Sequence, residues 1–118
     1  MPVVDVHQHL WPEEFVAALS RRRRPPRLDG ARLVLEREGS FELDLSAHDP
    51  ARRLAGLDAA GIDVAVVSLQ PTLEDALAGP EREDLVGAWH RGIREVVAAS
   101  GGRLVALAYG EALDGFPG

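Results

Sequence analysis

Seven consecutive residues, Ile62-Asp63-Val64-Ala65-Val66-Val67-Ser68, constrain the fold most. They form a near-continuous apolar run bounded by turn-forming residues. A strand with one wet face alternates apolar and polar residues, whereas a strand covered on both faces does not, so this run predicts an inner strand of a parallel sheet. Two further segments read the same way: Val3-Val4-Asp5-Val6 leading into His7-Gln8-His9, and Arg103-Leu104-Val105-Ala106-Leu107-Ala108-Tyr109.

Helical signals lie between them. Pro12-Glu13-Glu14 starts a helix with carboxylates near the positive end of its dipole, and Phe15, Val16 and Leu19 share one face. The run Arg21 to Arg24 is expected to occupy that helix's C-terminus, where cations are favoured, and Pro25-Pro26 stops it. Asp49-Pro50 reads as an N-cap followed by proline at the first helical position, with Leu54 and Leu57 as the buried stripe and Gly61 as the end. From Pro80 to Ser100, Leu85, Trp89, Ile93 and Val96-Val97 recur at helical spacing, and Gly101-Gly102 closes the segment. Leu33, Leu35, Phe41, Leu43 and Leu45 alternate around Arg37-Glu38-Gly39-Ser40, which predicts a β-hairpin insertion over 32–45. Strand–helix–strand succession implies parallel strands with right-handed crossovers, hence an α/β fold in one domain spanning 1–118.

Composition narrows the chemistry. The 118 residues are 46% hydrophobic, which suits a packed domain rather than a disordered chain. Cysteine is absent, so disulfides and thiol catalysis are excluded and a metal would be held by nitrogen and oxygen. The formal net charge of -6, with all 13 basic residues arginine, argues against nucleic-acid binding. No stretch approaches the ~18 apolar residues of a membrane span, and the apolar start is too short for a signal-peptide core, so a cytoplasmic location without membrane contact is expected.

The candidate site lies at the end of the first strand. His7 and His9 are two residues apart, so on a strand they project to one side, about 6.5 Å apart along the backbone. One cation can sit between imidazoles so spaced. Asp5 has the same parity and is a candidate to orient a ligand imidazole, although capping buried backbone groups explains it equally well. Trp11 is a candidate wall of a substrate pocket, with a core role as the competing explanation. His48, before a helix N-terminus, and His90, expected to face solvent, are read as non-ligands. Gln70-Pro71-Thr72 is a candidate substrate contact that turn chemistry explains as well.

Asp5-Val6-His7-Gln8-His9 with Leu10-Trp11-Pro12 resembles the first barrel strand of the amidohydrolase superfamily, especially the amidohydrolase-related branch that includes aminocarboxymuconate-semialdehyde and resorcylate decarboxylases. Asp49-Pro50-Ala51-Arg52-Arg53-Leu54, continuing through Leu57 to Ser68, is similar to that branch's helix and second strand. Gly102 to Ala108 is similar to its approach to the next strand. The resemblance implies a partial (β/α)8 TIM barrel, with about three parallel strands and flanking helices. A whole barrel needs about 250 residues, so the chain is expected to be the N-terminal part of one. It further implies that His7 and His9 bind a divalent metal, most commonly zinc, whose remaining ligands lie on later strands. Expected chemistry is hydrolysis of an amide, ester or lactone, or decarboxylation of a small carboxylic acid, with the chain inactive alone. A TatD-like nuclease or a phosphoesterase of the polymerase and histidinol phosphatase family is an alternative. So is a non-catalytic remnant that associates with its own copies through open sheet edges.

Overall fold

In a computed structural model the described residues are 2–37, 39–69 and 80–107. Their elements run β1 (Val4–His9), α1 (Glu13–Ser20), β2 (Arg27–Asp29), β3 (Arg32–Leu35), β4 (Gly39–Glu42), a 3-10 turn (Leu45–His48), α2 (Pro50–Ala60), β5 (Val64–Ser68), α3 (Pro80–Ala98) and β6 (Leu104–Ala106). The fold is mixed α/β: a parallel sheet in the order β1-β5-β6 flanked by helices, and an antiparallel sheet in the order β2-β3-β4. Gln70-Pro71-Thr72 and the Ala108-Tyr109 end of the third predicted strand lie outside the described residues.

The central strand is less enclosed than its composition suggests. Ala65 and Val67 of β5 and Leu104 and Ala106 of β6 are buried in one core with Leu57, Trp89 and Ile93, while Val64, Val66 and Val105 are half-buried. The described helices therefore cover one face fully and leave the other partly open. A valine run satisfies either arrangement, because β-branched residues favour strands wherever one face is packed.

The predicted hairpin over 32–45 is instead a three-stranded meander. Its first strand, β2, lies before the predicted boundary, and Leu28 pairs directly with Leu33, both buried. Asp29 pairs with Arg32, so Gly30-Ala31 is a two-residue link; Gly30 has φ of +62° in its first position, where a type II′ turn needs glycine. At the other end β4 stops at Glu42, and the Asp44 carboxylate accepts from the Ser46 amide at 3.1 Å, drawing Leu45 into the 3-10 turn rather than a strand.

α1 ends at Ser20, so the arginine run follows the helix and does not occupy its last turn. Two of its members instead reach other segments. Arg22 Nε donates to the Pro26 carbonyl at 2.7 Å, and Arg22 and Arg24 both pair with Glu81 in the first turn of α3. α2 follows its predicted boundaries, with Asp49 accepting from the Arg52 amide at 3.1 Å, Pro50 in the first turn and Gly61 as a left-handed cap.

The loop leaving β1 ties three elements together. The Leu10 carbonyl accepts from Trp89 Nε1 of α3 at 2.8 Å, the Trp11 amide donates to His48 Nδ1 at 3.0 Å, and the Pro12 carbonyl accepts from the Phe15 and Val16 amides of α1. These three backbone groups thereby find partners, and the chain just after His9 is held in place.

Candidate metal centre at the end of β1

His7 and His9 stand at the carboxyl-terminal end of β1 with ring centroids 5.0 Å apart and ring planes at 80°. Zinc–nitrogen bonds are about 2.0–2.1 Å, so each ring centre lies roughly 3.2 Å from a shared ion, and tetrahedral coordination separates two such centres by about 5 Å. The observed centroid spacing of 5.0 Å matches that distance.

His9 is also set electronically. Its Nδ1 lies 3.0 Å from the Ser68 carbonyl oxygen and 3.4 Å from Ser68 Oγ; the nearer partner can only accept, which favours the neutral tautomer with the hydrogen on Nδ1 and the lone pair on Nε2. Ligand histidines commonly donate their second ring nitrogen to a carbonyl in this way, which fixes tautomer and ring orientation. The contact follows from sheet register, because His9 of β1 pairs with Ser68 of β5.

Register also explains where Asp5 goes. Asp5 pairs with Ala65 and Gln8 with Val67, so three steps of β1 match two of β5, and the irregularity between them breaks simple alternation. Asp5 thus shares a side with Gln8 rather than with His9. Its carboxylate accepts from Gln8 Nε2 at 2.9 Å and from the His7 amide at 3.1 Å, not from a ring nitrogen. The Gln8 hydrogen bond, then the His7 amide, hold its carboxyl below the usual carboxylate value.

Two residues near the site carried no signal in the strand pattern. Arg53 of α2 donates to the His9 carbonyl at 3.0 Å, to Gln8 Oε1 at 3.2 Å and, through its other terminal nitrogen, to the Ala47 carbonyl at 3.0 Å. It pins the end of β1 to the 3-10 turn. His48 stacks on Trp11 with centroids 5.1 Å apart and planes 7° from parallel. Burial, with the Arg53 charge second, pushes its pKa down to about 4, so it is neutral near pH 7.

Trp11 is almost wholly buried, 3% exposed, and packs edge-on against Phe15. It also forms part of the lining of a half-open cavity of about 650 Å³ between α1, the start of α2 and α3, together with Leu45, His48, Val96 and Glu95. His90 is half-buried rather than solvent-facing, and burial lowers its pKa; its ring meets Trp89 edge-on. Among the described residues no group of three or more His, Cys, Asp or Glu side chains gathers around one point, and no helix is long and apolar enough to cross a membrane.

A scan against models of known protein families gives no match, and no curated protein matches the sequence.

Proposed function

We propose that His7 and His9 are the first-strand half of a divalent-metal centre, and that the chain belongs to metal-dependent amidohydrolase-like chemistry on a small-molecule substrate in the cytoplasm. On this reading the sheet β1-β5-β6 is the opening of a (β/α)8 barrel, and β2-β3-β4 is an insertion after its first strand. Barrel enzymes work at the carboxyl-terminal ends of their strands, which is where the two imidazoles lie. The observation that carries the proposal is the His9 Nδ1 contact with the Ser68 carbonyl beside the His7 ring, a donor pair with one tautomer already favoured.

Zinc, when bound, supplies Lewis acidity toward a substrate oxygen, which serves both hydrolysis and loss of carbon dioxide. The chain's own groups hold and orient. His7 and His9 donate as neutral imidazoles that leave the ion's charge uncancelled, Ser68 fixes one ring, and Arg53 fixes the strand end beneath it. Asp5 braces the backbone of His7. Two donors are half of a tetrahedral set, so turnover by the 118-residue chain alone is expected to be negligible.

The test is zinc content by elemental analysis after dialysis, for the unaltered chain and for His7→Ala and His9→Ala. Metal retained by the unaltered chain and lost from both variants is expected. Equal content in all three would remove these residues from coordination, and robust zinc-dependent turnover by the unaltered chain would overturn the half-site reading.

A further inference from the structure

We propose that the cavity between α1, the start of α2 and α3 is a binding site for a small organic ammonium ion with an apolar body, the charge held by carboxylates at the mouth and the body by the apolar walls. The site stands apart from the histidine pair, since neither His7 nor His9 is part of its lining. It holds or fails independently of the metal reading.

Size and walls are the first support. The cavity holds about 650 Å³, within the range of roughly 300–1,000 Å³ common for small-molecule sites. Trp11 and Pro12 in its lining are buried, and Val16, Leu45, Pro50 and Val96 are half-buried, so its deeper surface is apolar. Part of that surface is also rigid. Pro12 and Gly92 both line the cavity and pack so closely that a Cβ on Gly92 would stand 2.7 Å from the proline ring. Trp11 is held by the stacked His48 ring and by its edge-on contact with Phe15. Walls fixed before a ligand arrives lower the ordering cost of binding it.

Charge is the second support, and it selects the occupant. The exposed carboxylates of Glu13, Glu14, Asp49 and Glu95 line the cavity, whereas no arginine does among the described residues. Elsewhere on the surface carboxylates sit against arginine: Glu42 with Arg32, Asp44 with Arg52 and Asp58 with Arg103. Of the four at the cavity Glu14 does so, 3.0 Å from Arg91. Asp49 accepts from the backbone amide of Arg52, a neutral donor, and Glu13 and Glu95 enter no ion pair among the described residues. His48, the remaining ionisable group of the lining, is neutral near pH 7 because burial, with the Arg53 charge second, lowers its pKa to about 4. Apolar walls under a negative mouth suit a ligand that buries a hydrocarbon body and leaves a cation beside the carboxylates. An anion of the same shape is repelled.

Isothermal titration calorimetry of the full 118-residue chain at pH 7, with phenethylamine and with 3-phenylpropionate as its anionic counterpart, reads the preference. Phenethylammonium is expected to bind at least tenfold more tightly than the carboxylate, and added sodium chloride to weaken it, because the carboxylates are exposed and screened. Glu13→Gln and Glu95→Gln should each weaken phenethylammonium severalfold and together about tenfold, without weakening 3-phenylpropionate, and circular dichroism checks that both variants fold. His7→Ala and His9→Ala should bind phenethylammonium as the unaltered chain does. Equal affinity for the two probes, no saturable binding of phenethylamine, or indifference to both glutamine substitutions would overturn the site. Loss of binding in the histidine variants would move the ammonium to the histidine pair and overturn it too. A tenfold preference for a hexapeptide bearing arginine and phenylalanine would replace the small molecule by a protein partner and overturn the assigned occupant.

Discussion

At the scale of single residues, the site divides into what alternation reveals and what only packing reveals. His7 and His9 were legible because a strand places residues two apart on one side, a purely local rule. Ser68, Arg53 and His48 were not, since each reaches β1 or its loop from 37 to 59 positions away in sequence. Asp5 shows the limit of the local rule, because one irregular step in register turned it from the imidazoles. His48 yields a sharp prediction. Its folded pKa is depressed to about 4 from the ordinary imidazole value of 6.5, so folding favours the neutral ring. Stability from this group is fully present above pH 6.5 and is lost as pH falls through the window from 6.5 toward 4, where the unfolded chain takes up a proton that the folded one refuses. Urea midpoints at pH 7, 5.5 and 4 should fall accordingly, while His48→Gln should flatten that stretch of the curve. The carboxyls of Asp5 and Asp44, held below 3.8 by their hydrogen bonds, destabilise only at lower pH. Arg53→Lys tests the other hidden residue. One ammonium cannot serve three acceptors in a planar fork, so a loss of about 1–3 kcal/mol in urea unfolding is expected, and an unchanged midpoint would contradict the bracing role.

At the scale of elements, helices were the most legible because caps and periodicity agree: Asp49-Pro50 and Gly61 bracket α2 as predicted. The strand β2 escaped notice because three residues carry too little periodicity to register as a strand. Glycines within helices separate local preference from packing. Gly56 in α2 has nothing within 4 Å of an added Cβ, so Gly56→Ala should stabilise by about 0.5–1 kcal/mol through helix propensity and reduced unfolded-state freedom. Gly92 in α3 gains the same propensity, but its Cβ would lie 2.7 Å from Cβ and Cγ of Pro12, a ring that cannot swing aside. Overpacking typically costs about 1–3 kcal/mol, which outweighs the gain, so Gly92→Ala should destabilise. Opposite signs in thermal unfolding of the two variants would confirm that α3 packs tightly on the Pro12 ring at the start of α1 through Gly92. A stabilised Gly92→Ala would show that this contact is looser.

At the scale of the whole molecule, the consequential fact is a parallel sheet with one face well packed and one face carrying half-buried Val64, Val66 and Val105 beside the more exposed Val4 and Leu107. Parallel sheets are ordinarily covered on both sides, and exposed apolar patches favour association. Sequence pattern could not reveal this asymmetry, because valine serves a covered and a half-covered strand equally well. The consequence is measurable without any ligand. Val4→Thr with Val6→Thr keeps branched, strand-favouring side chains but adds hydroxyls where the native residues are 48% and 71% exposed. Little burial is lost, so the urea midpoint should stay within about 0.5 kcal/mol of the unaltered chain. Both tryptophans are buried, at 3% and 0% exposure, and their fluorescence follows that transition. Binding of an apolar dye in the native state should decrease, since it depends on the accessible patch. If the variant instead unfolds at clearly lower urea, these valines are covered in solution, and the open face assigned to β1 would have to be given up.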